Sequence, residues 1–108
     1  MTMEPKIQTL PLAKTAGTEP LVLQCLYAAI AHDFNYIQAD PGLHKNPHPY
    51  GAGDSFMLVL AGSMELFVDG TSYAVSAGQF VVLPKGAVRG FTAGPEGLTM
   101  FAGHLRDE

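Results

Sequence analysis

The sequence predicts an all-β domain, an antiparallel barrel built from short strands. Short apolar runs alternate with turn residues from Pro20 onward, at the spacing of an all-β domain. Several of these runs alternate with a period of two, and no stretch is long and amphipathic enough for a major helix. The length of 108 residues suits one domain with one core, so no second domain is expected.

The chain divides into an arm and a barrel. Residues 1–19 carry scattered prolines and polar residues without a sustained period, which predicts an N-terminal arm lying on the body. Residues 20–108 are the predicted barrel domain, and its first run, 21–31, is interpreted as a buried strand. The predicted strands are 21–31, 34–38, 56–61, 64–68, 72–75, 80–83, 87–91 and 98–102.

The clearest local signal is the Asp69-Gly70 pair. Both residues tolerate a positive φ, and this dipeptide favours the type I′ turn of a two-residue hairpin. The hairpin joins 64–68 to 71–75, where apolar and polar residues alternate. The side chains predicted to point into the barrel are Leu66, Val68, Tyr73 and Val75.

Two strands, 56–60 and 80–83, are apolar on both faces, so their outer faces are expected to be covered as well. Charged residues make up 15% of the chain, where about 25% is usual. Both observations predict a homodimer. The residues expected at its interface, with part of the 21–31 run, are Phe56, Leu58, Leu60, Phe80 and Val82.

Two motifs with regular gaps flank the hairpin. The first reads Gly42, five residues, His48-Pro49-Tyr50, four residues, Ser55, six residues and Gly62. The second reads Gly78, five residues, Pro84-Lys85-Gly86, two residues, Arg89, three residues and Ala93. Every gap length matches the two motifs of the cupin family, and the chain resembles a small single-domain cupin, which implies a jelly-roll β-barrel.

The resemblance also implies where a metal would lie. Metal-binding cupins use two His and a Glu from the first motif and a His from the second to hold a divalent transition metal. Here only His48 matches, while Tyr50, Ser55 and Arg89 stand at the other three positions. Arginine is always charged and offers no lone pair. The sequence therefore predicts no metal cofactor.

An alternative metal site uses residues close to the motif positions. His44, His48 and Asp54 together offer ligands for a divalent transition metal, although prolines make this segment irregular. His32 and His104 have no motif support and are interpreted as structural or surface histidines.

Arg89 is expected to point into an apolar interior beside Met57, where an unpaired charge costs several kcal/mol. Two partners are open: an internal carboxylate, Asp54 or Glu65, or the anionic group of a ligand.

Three functions follow from these residues. The first is a metal-independent small-molecule-binding domain, with an anionic or carbonyl-containing ligand held by His48, Tyr50, Ser55, Met57 and Arg89. The second is a metal-independent isomerase, lyase or cyclase in which His48 is the base, Tyr50 the acid and Arg89 the oxyanion partner. The third keeps a metal centre with non-standard ligands and oxygenase chemistry.

Composition argues against two partner classes. Six Lys and Arg against ten Asp and Glu give a net charge of -4, so nucleic acid and membrane surfaces are not expected partners. No secretory leader is recognised at the N-terminus, and a cytoplasmic location is expected.

Overall fold

A computed structural model describes residues 4–15 and 17–107, which form seven strands joined only by antiparallel pairings. In the described part of the chain no helix is present. The fold is therefore all-β, as the period-two alternation predicts. The strands are β1 (Leu21–Ala28), β2 (His32–Ala39), β3 (His44–Pro49), β4 (Ser55–Val68), β5 (Thr71–Ser76), β6 (Phe80–Leu83) and β7 (Val88–Leu105).

The two long strands, β4 and β7, bend so that each contributes to two sheets. The N-terminal part of β4 and the C-terminal part of β7 form a first sheet with β1, β2 and β6. The C-terminal part of β4 and the N-terminal part of β7 form a second sheet with β3 and β5. The bend in β4 lies at Gly62, whose φ is 74° and where a Cβ atom would lie 2.0 Å from the carbonyl oxygen of Gly97. Glycine is needed there on both counts. The predicted antiparallel jelly-roll barrel is confirmed.

The core fills the space between the two sheets. Val59 and Met100 project from the first sheet and Leu66 and Phe91 from the second, and each of the four is at most 5% exposed. The burial follows the alternation of each strand, because successive side chains of a strand point to opposite faces. The core side chains Met57, Phe91 and Met100 also line a cavity at the mouth of the barrel.

The predicted hairpin is confirmed. Asp69 and Gly70 both have positive φ, 49° and 85°, and Val68 pairs with Thr71 across the two-residue turn. Leu66 and Val75 are buried as expected, and Val68 is half-buried. Tyr73 shares the face of Leu66 but is 51% exposed, because β5 is an edge strand beside an open groove.

Three expectations about strands are wrong in detail. The runs 56–61 and 64–68 are one strand, as are 87–91 and 98–102, because bulges allow each strand to turn the corner of the barrel without ending. Segment 44–49 is a strand despite its prolines, which are accommodated by an irregular register on the free edge of the sheet. The run 21–31 is not buried, because β1 is an edge strand paired only with β2 and most of its side chains are exposed.

The described part of the arm lies across β1 and β2. The Gln8 side chain donates to the Leu26 carbonyl oxygen at 2.8 Å, and the Tyr36 hydroxyl donates to the Pro11 carbonyl oxygen at 2.6 Å. Lys14 forms an ion pair with Asp40 at 2.8 Å. The arm thus covers part of the outer face of the first sheet.

Candidate functional site

A cavity of about 140 Å³ opens at the mouth of the barrel, between β3 and the first sheet. Apolar side chains such as Met57, Phe91 and Met100 form its inner wall. Of the residues that the structure describes, its lining includes Lys45, Arg89 and two histidines but no Asp or Glu, in a chain whose net charge is -4. The polar residues that line it are Asn35, Lys45, His48, Ser55, Arg89 and His104.

Two cross-strand pairs position the polar groups of this cavity. His48 on β3 pairs with Arg89 on β7 in the second sheet, and Ser55 on β4 pairs with His104 on β7 in the first sheet. Paired residues of antiparallel strands project to the same side, so each pair presents two polar side chains together. Because β7 supplies a member of both pairs, its bend brings Arg89 and His104 to the same mouth.

Arg89 is a buried cation without an ionic partner. The residue is 6% exposed, and its NH1 atom has no hydrogen-bond partner. Burial lowers the pKa of Arg89 from its ordinary value, and the nearby Tyr50 partly opposes that shift. An arginine remains charged at neutral pH nonetheless.

The internal carboxylate partners considered for Arg89 lie elsewhere. Asp54 accepts a hydrogen bond from the backbone N–H of Lys85 at 2.9 Å. Glu65 is exposed. No ion pair involving Arg89 occurs within residues 4–15 and 17–107. Of the two partners left open for Arg89, the internal carboxylate is therefore not the one found in the described structure.

Tyr50 lies between the two cross-strand pairs. The Arg89 guanidinium carbon lies over its ring, 5.2 Å from the centroid, and the His104 ring packs against it with centroids 4.4 Å apart. Its buried hydroxyl oxygen makes no hydrogen bond of normal geometry, although it lies close enough to help raise the pKa of Arg106, after the larger effect of Asp33. The Ser55 hydroxyl is buried and also has no partner.

His104 is held by a carboxylate. Its Nδ1 lies 2.9 Å from Asp33 Oδ2, and the same carboxylate accepts hydrogen bonds from Asn35 at 2.7 Å and from Arg106. Burial raises the pKa of Asp33, but the hydrogen bonds from His104, Arg106 and Asn35 outweigh it and lower the pKa below the usual value. The ionised carboxylate accepts only, so His104 donates from Nδ1, and in the neutral imidazole Nε2 is then the acceptor.

The structure gathers most of the predicted site residues. Ser55, Met57 and Arg89 line the cavity, and Tyr50 packs against Arg89. His48 also lines it, but is exposed at the rim, and its Nδ1 reaches only the Asn46 carbonyl oxygen at 3.4 Å.

Sequence reasoning missed three residues that line this mouth and one that supports it. Asn35, Lys45 and His104 line the cavity, and Asp33 is hydrogen-bonded to His104 and Asn35. His104 shares the inward face of β7 with Met100 and Ala102, at intervals of two, but the sequence of this segment shows no clear alternation that would have placed it there. Lys45 had no comparable signal, because the prolines around it obscured the strand.

The donor set does not fit the divalent metal found in many cupins. The four motif positions present an imidazole, a phenol, a hydroxyl and a buried guanidinium, and the fixed cation repels a second one. In the alternative set, His44 Nδ1 lies 2.8 Å from Thr92 Oγ1 and Asp54 is bound to Lys85. Among the described residues no three His, Cys, Asp or Glu side chains form a metal-binding group.

Comparison with known proteins gives a clear result for structure and none for sequence. No protein-family model matches the sequence, and no curated protein matches it significantly. A cupin superfamily protein from Desulfitobacterium hafniense is similar in structure, with a TM-score of 0.80 and 20% identity, covering 95% of this chain and 94% of that one. An RmlC-like cupin from Desulfovibrio desulfuricans gives 0.79 and 17%, covering 94% and 97%.

A third likeness is to KdgF from a Halomonas species, with a TM-score of 0.71, 19% identity and coverage of 87% and 86%. These likenesses establish the fold: the chain has the fold of RmlC-like cupins. The side chains inside the barrel, rather than the fold, determine the function, because one fold carries many activities.

Among the described residues, no helix is long and apolar enough to cross a membrane.

Proposed function

We propose that this cupin binds a small organic anion at the mouth of its barrel, without a metal ion. One observation carries the proposal: among the described residues, three buried side-chain polar atoms have no hydrogen-bond partner. They are Arg89 NH1, Ser55 Oγ and Tyr50 Oη. Two of them belong to residues that line the cavity, and the third belongs to Tyr50, which packs on Arg89. Buried polar groups are almost always satisfied, so a cluster of unsatisfied ones marks a place where a ligand supplies the missing partners.

The charge of the cavity favours an anion. Its lining holds Lys45 and Arg89, and no Asp or Glu within residues 4–15 and 17–107 contributes to it. An uncompensated buried charge costs several kcal/mol, and the fork of a guanidinium matches a carboxylate through two parallel hydrogen bonds. A carboxylate seated on Arg89 also accepts from the hydroxyl groups nearby.

The size of the cavity limits the ligand. Its volume is about 140 Å³. The part of a ligand enclosed here is therefore small, and a short organic acid suits it. The apolar wall formed by Met57, Phe91 and Met100 suits the carbon chain of such an acid.

The test is a calorimetric titration with short carboxylic acids. Saturable binding to the wild-type protein is expected, with a loss of about tenfold or more in Arg89→Met. Lys85→Met is the matched control, because Lys85 pairs with Asp107 at the surface and does not line the cavity. Equal affinity in Arg89→Met and the wild type would refute the proposal.

The Asp33–His104 hydrogen bond favours a second candidate function, metal-independent isomerase chemistry. The base in this version is His104 rather than His48, since only His104 is oriented by a carboxylate. For a bound 2-oxo acid, His104 Nε2 takes the proton from the carbon next to the carbonyl group. The electron pair moves onto the carbonyl oxygen, where Arg89 stabilises the enolate.

Hydrogen–deuterium exchange tests this candidate without knowledge of the product. In D₂O the N–H formed on the imidazolium exchanges with solvent before a deuteron is returned to the carbon. The proton signal at that carbon of 2-oxobutyrate should therefore decay faster with the protein present. His104→Gln should abolish the acceleration and His48→Gln should retain it. Absence of acceleration by the wild-type protein, under conditions where the acid binds, would leave the binding function alone.

The homodimer is also part of the proposal. The outer face of the first sheet carries a chain of aromatic contacts, in which Phe56 packs on Phe80 and on Phe101 with ring centroids 5.8 and 5.6 Å apart. Phe80 and Val82 are 61% and 59% exposed on this face, beside the region covered by the arm. A contiguous apolar face of this kind suits a second copy of the chain.

A further inference from the structure

We propose that the ligand is a short dicarboxylate and that Lys45 is the residue that selects it over a monocarboxylate. This inference rests on the proposed function, because it assigns a second anionic group to the ligand that Arg89 binds. It concerns a residue that stands outside the motif positions and was not among the sequence-predicted site residues.

Lys45 stands on the same inner wall as Arg89. Lys45 pairs with Phe91 across β3 and β7, and His48 pairs with Arg89. Phe91 and Arg89 are two residues apart on one strand, so they face the same side, and Lys45 is the diagonal neighbour of Arg89. Both cationic side chains line the cavity.

The two cations are not neutralised by the protein. Lys45 is half-buried, and no ion pair to Lys45 or Arg89 occurs in the part of the chain that the structure describes. Elsewhere Lys14, Lys85 and Arg106 each have a carboxylate partner within 4 Å. Like charges at diagonal positions on one face repel each other, so one anionic group leaves a cation uncompensated.

The geometry of the mouth separates two binding positions. Arg89 is 6% exposed and lies deep, over the Tyr50 ring, whereas Lys45 is more accessible. A short dicarboxylate placed along the cavity presents its inner group to the Arg89 fork and its outer group to the Lys45 ammonium. The flexible lysine stem accommodates chains of slightly different length, while the planar fork fixes the inner group.

The experiment compares acids of equal chain length with one or two carboxylates, succinate against butyrate and malonate against propionate, by calorimetry at fixed ionic strength. We expect the dicarboxylate of each pair to bind about tenfold or more tightly. Lys45→Met should reduce dicarboxylate affinity to that of the monocarboxylate while leaving monocarboxylate affinity unchanged. Arg89→Met should weaken both kinds of acid.

The outcomes separate this inference from the proposed function. Tight binding of monocarboxylates with no gain from a second carboxylate, or a gain that survives in Lys45→Met, overturns the inference and leaves anion binding intact. Failure of every acid to bind the wild type overturns both. Tighter binding of phosphoglycolate than of either dicarboxylate, lost in Lys45→Met, would replace the dicarboxylate with a phosphorylated acid. Lys85→Met is the charge-matched control and should behave as the wild type.

Discussion

The Arg89 guanidinium carbon lies 5.2 Å from the centroid of the Tyr50 ring, and this aromatic face partly compensates its charge. A cation–π contact of this kind contributes about 0.5–2 kcal/mol. The cost of burying an unpaired ion is several kcal/mol. The buried charge of Arg89 therefore destabilises the unliganded protein, and an anion bound to Arg89 would offset that cost.

Arg89→Met is expected to stabilise the unliganded protein by about 1–3 kcal/mol, because methionine fills much of the same volume without a buried charge. The measurement is the denaturant midpoint at pH 7 without added acids. Arg89→Lys keeps a buried cation and serves as the control, with no gain expected. A large loss of stability in Arg89→Met would show that the guanidinium has a structural partner.

Gly62→Ala is expected to destabilise the fold by about 2 kcal/mol or more, since it combines a positive φ with a Cβ atom 2.0 Å from the Gly97 carbonyl oxygen. Gly42→Ala is the matched control, because Gly42 has a similar φ of 77° but no atom within 4 Å of its Cβ position. It should cost only about 1 kcal/mol. Equal losses of unfolding free energy in the two variants would contradict the described bend of β4.

Much of the fold follows from local physical chemistry. Alternation placed Leu66 and Val75 in the core, and the backbone freedom of Asp69 and Gly70 defined the hairpin. The merging of strands into β4 and β7 was not predictable in this way. A glycine or a bulge can either end a strand or bend it, depending on which residues pack against it. Those residues are distant in sequence, as Gly97 is from Gly62.

The site was less accessible to sequence reasoning than the fold. Motif spacing located Ser55 and Arg89 correctly, because turns at fixed positions determine where these strands face. The Asp33–His104 contact joins residues 71 positions apart, and only the pairing of β2 with β7 brings them together. His48 was weighted too heavily, since matching a motif position says nothing about whether a carboxylate orients the ring.

Asp33→Asn is expected to lower the free energy of unfolding at pH 7 by about 2 kcal/mol, because the carboxylate accepts several charge-assisted hydrogen bonds. The pKa of Asp33 is lowered in the folded state, so its stabilisation is present above about pH 4 and is lost as the pH falls through the folded-state pKa. The difference between variant and wild type should therefore shrink on acidification. A difference independent of pH down to about 2 would argue against this linkage.

Phe80→Glu is expected to convert a dimer into a monomer, since it places a charge in the centre of the apolar outer face. The measurement is light scattering at micromolar concentration. Val88→Glu is the control, because Val88 is 40% exposed but lies in the second sheet, away from this apolar face. A wild-type protein that is monomeric under these conditions would refute the proposed homodimer.

If Arg89 receives the anionic group of a ligand, the Nε–H resonance of its guanidinium reports this directly. In an NMR titration with succinate, the Arg89 resonance should shift in a saturable manner. The Arg106 resonance should stay nearly unchanged, because that guanidinium is already bound to Asp33. Saturable binding of succinate without a shift of the Arg89 resonance, or no saturable binding at all, would show that Arg89 does not receive the anionic group of this ligand.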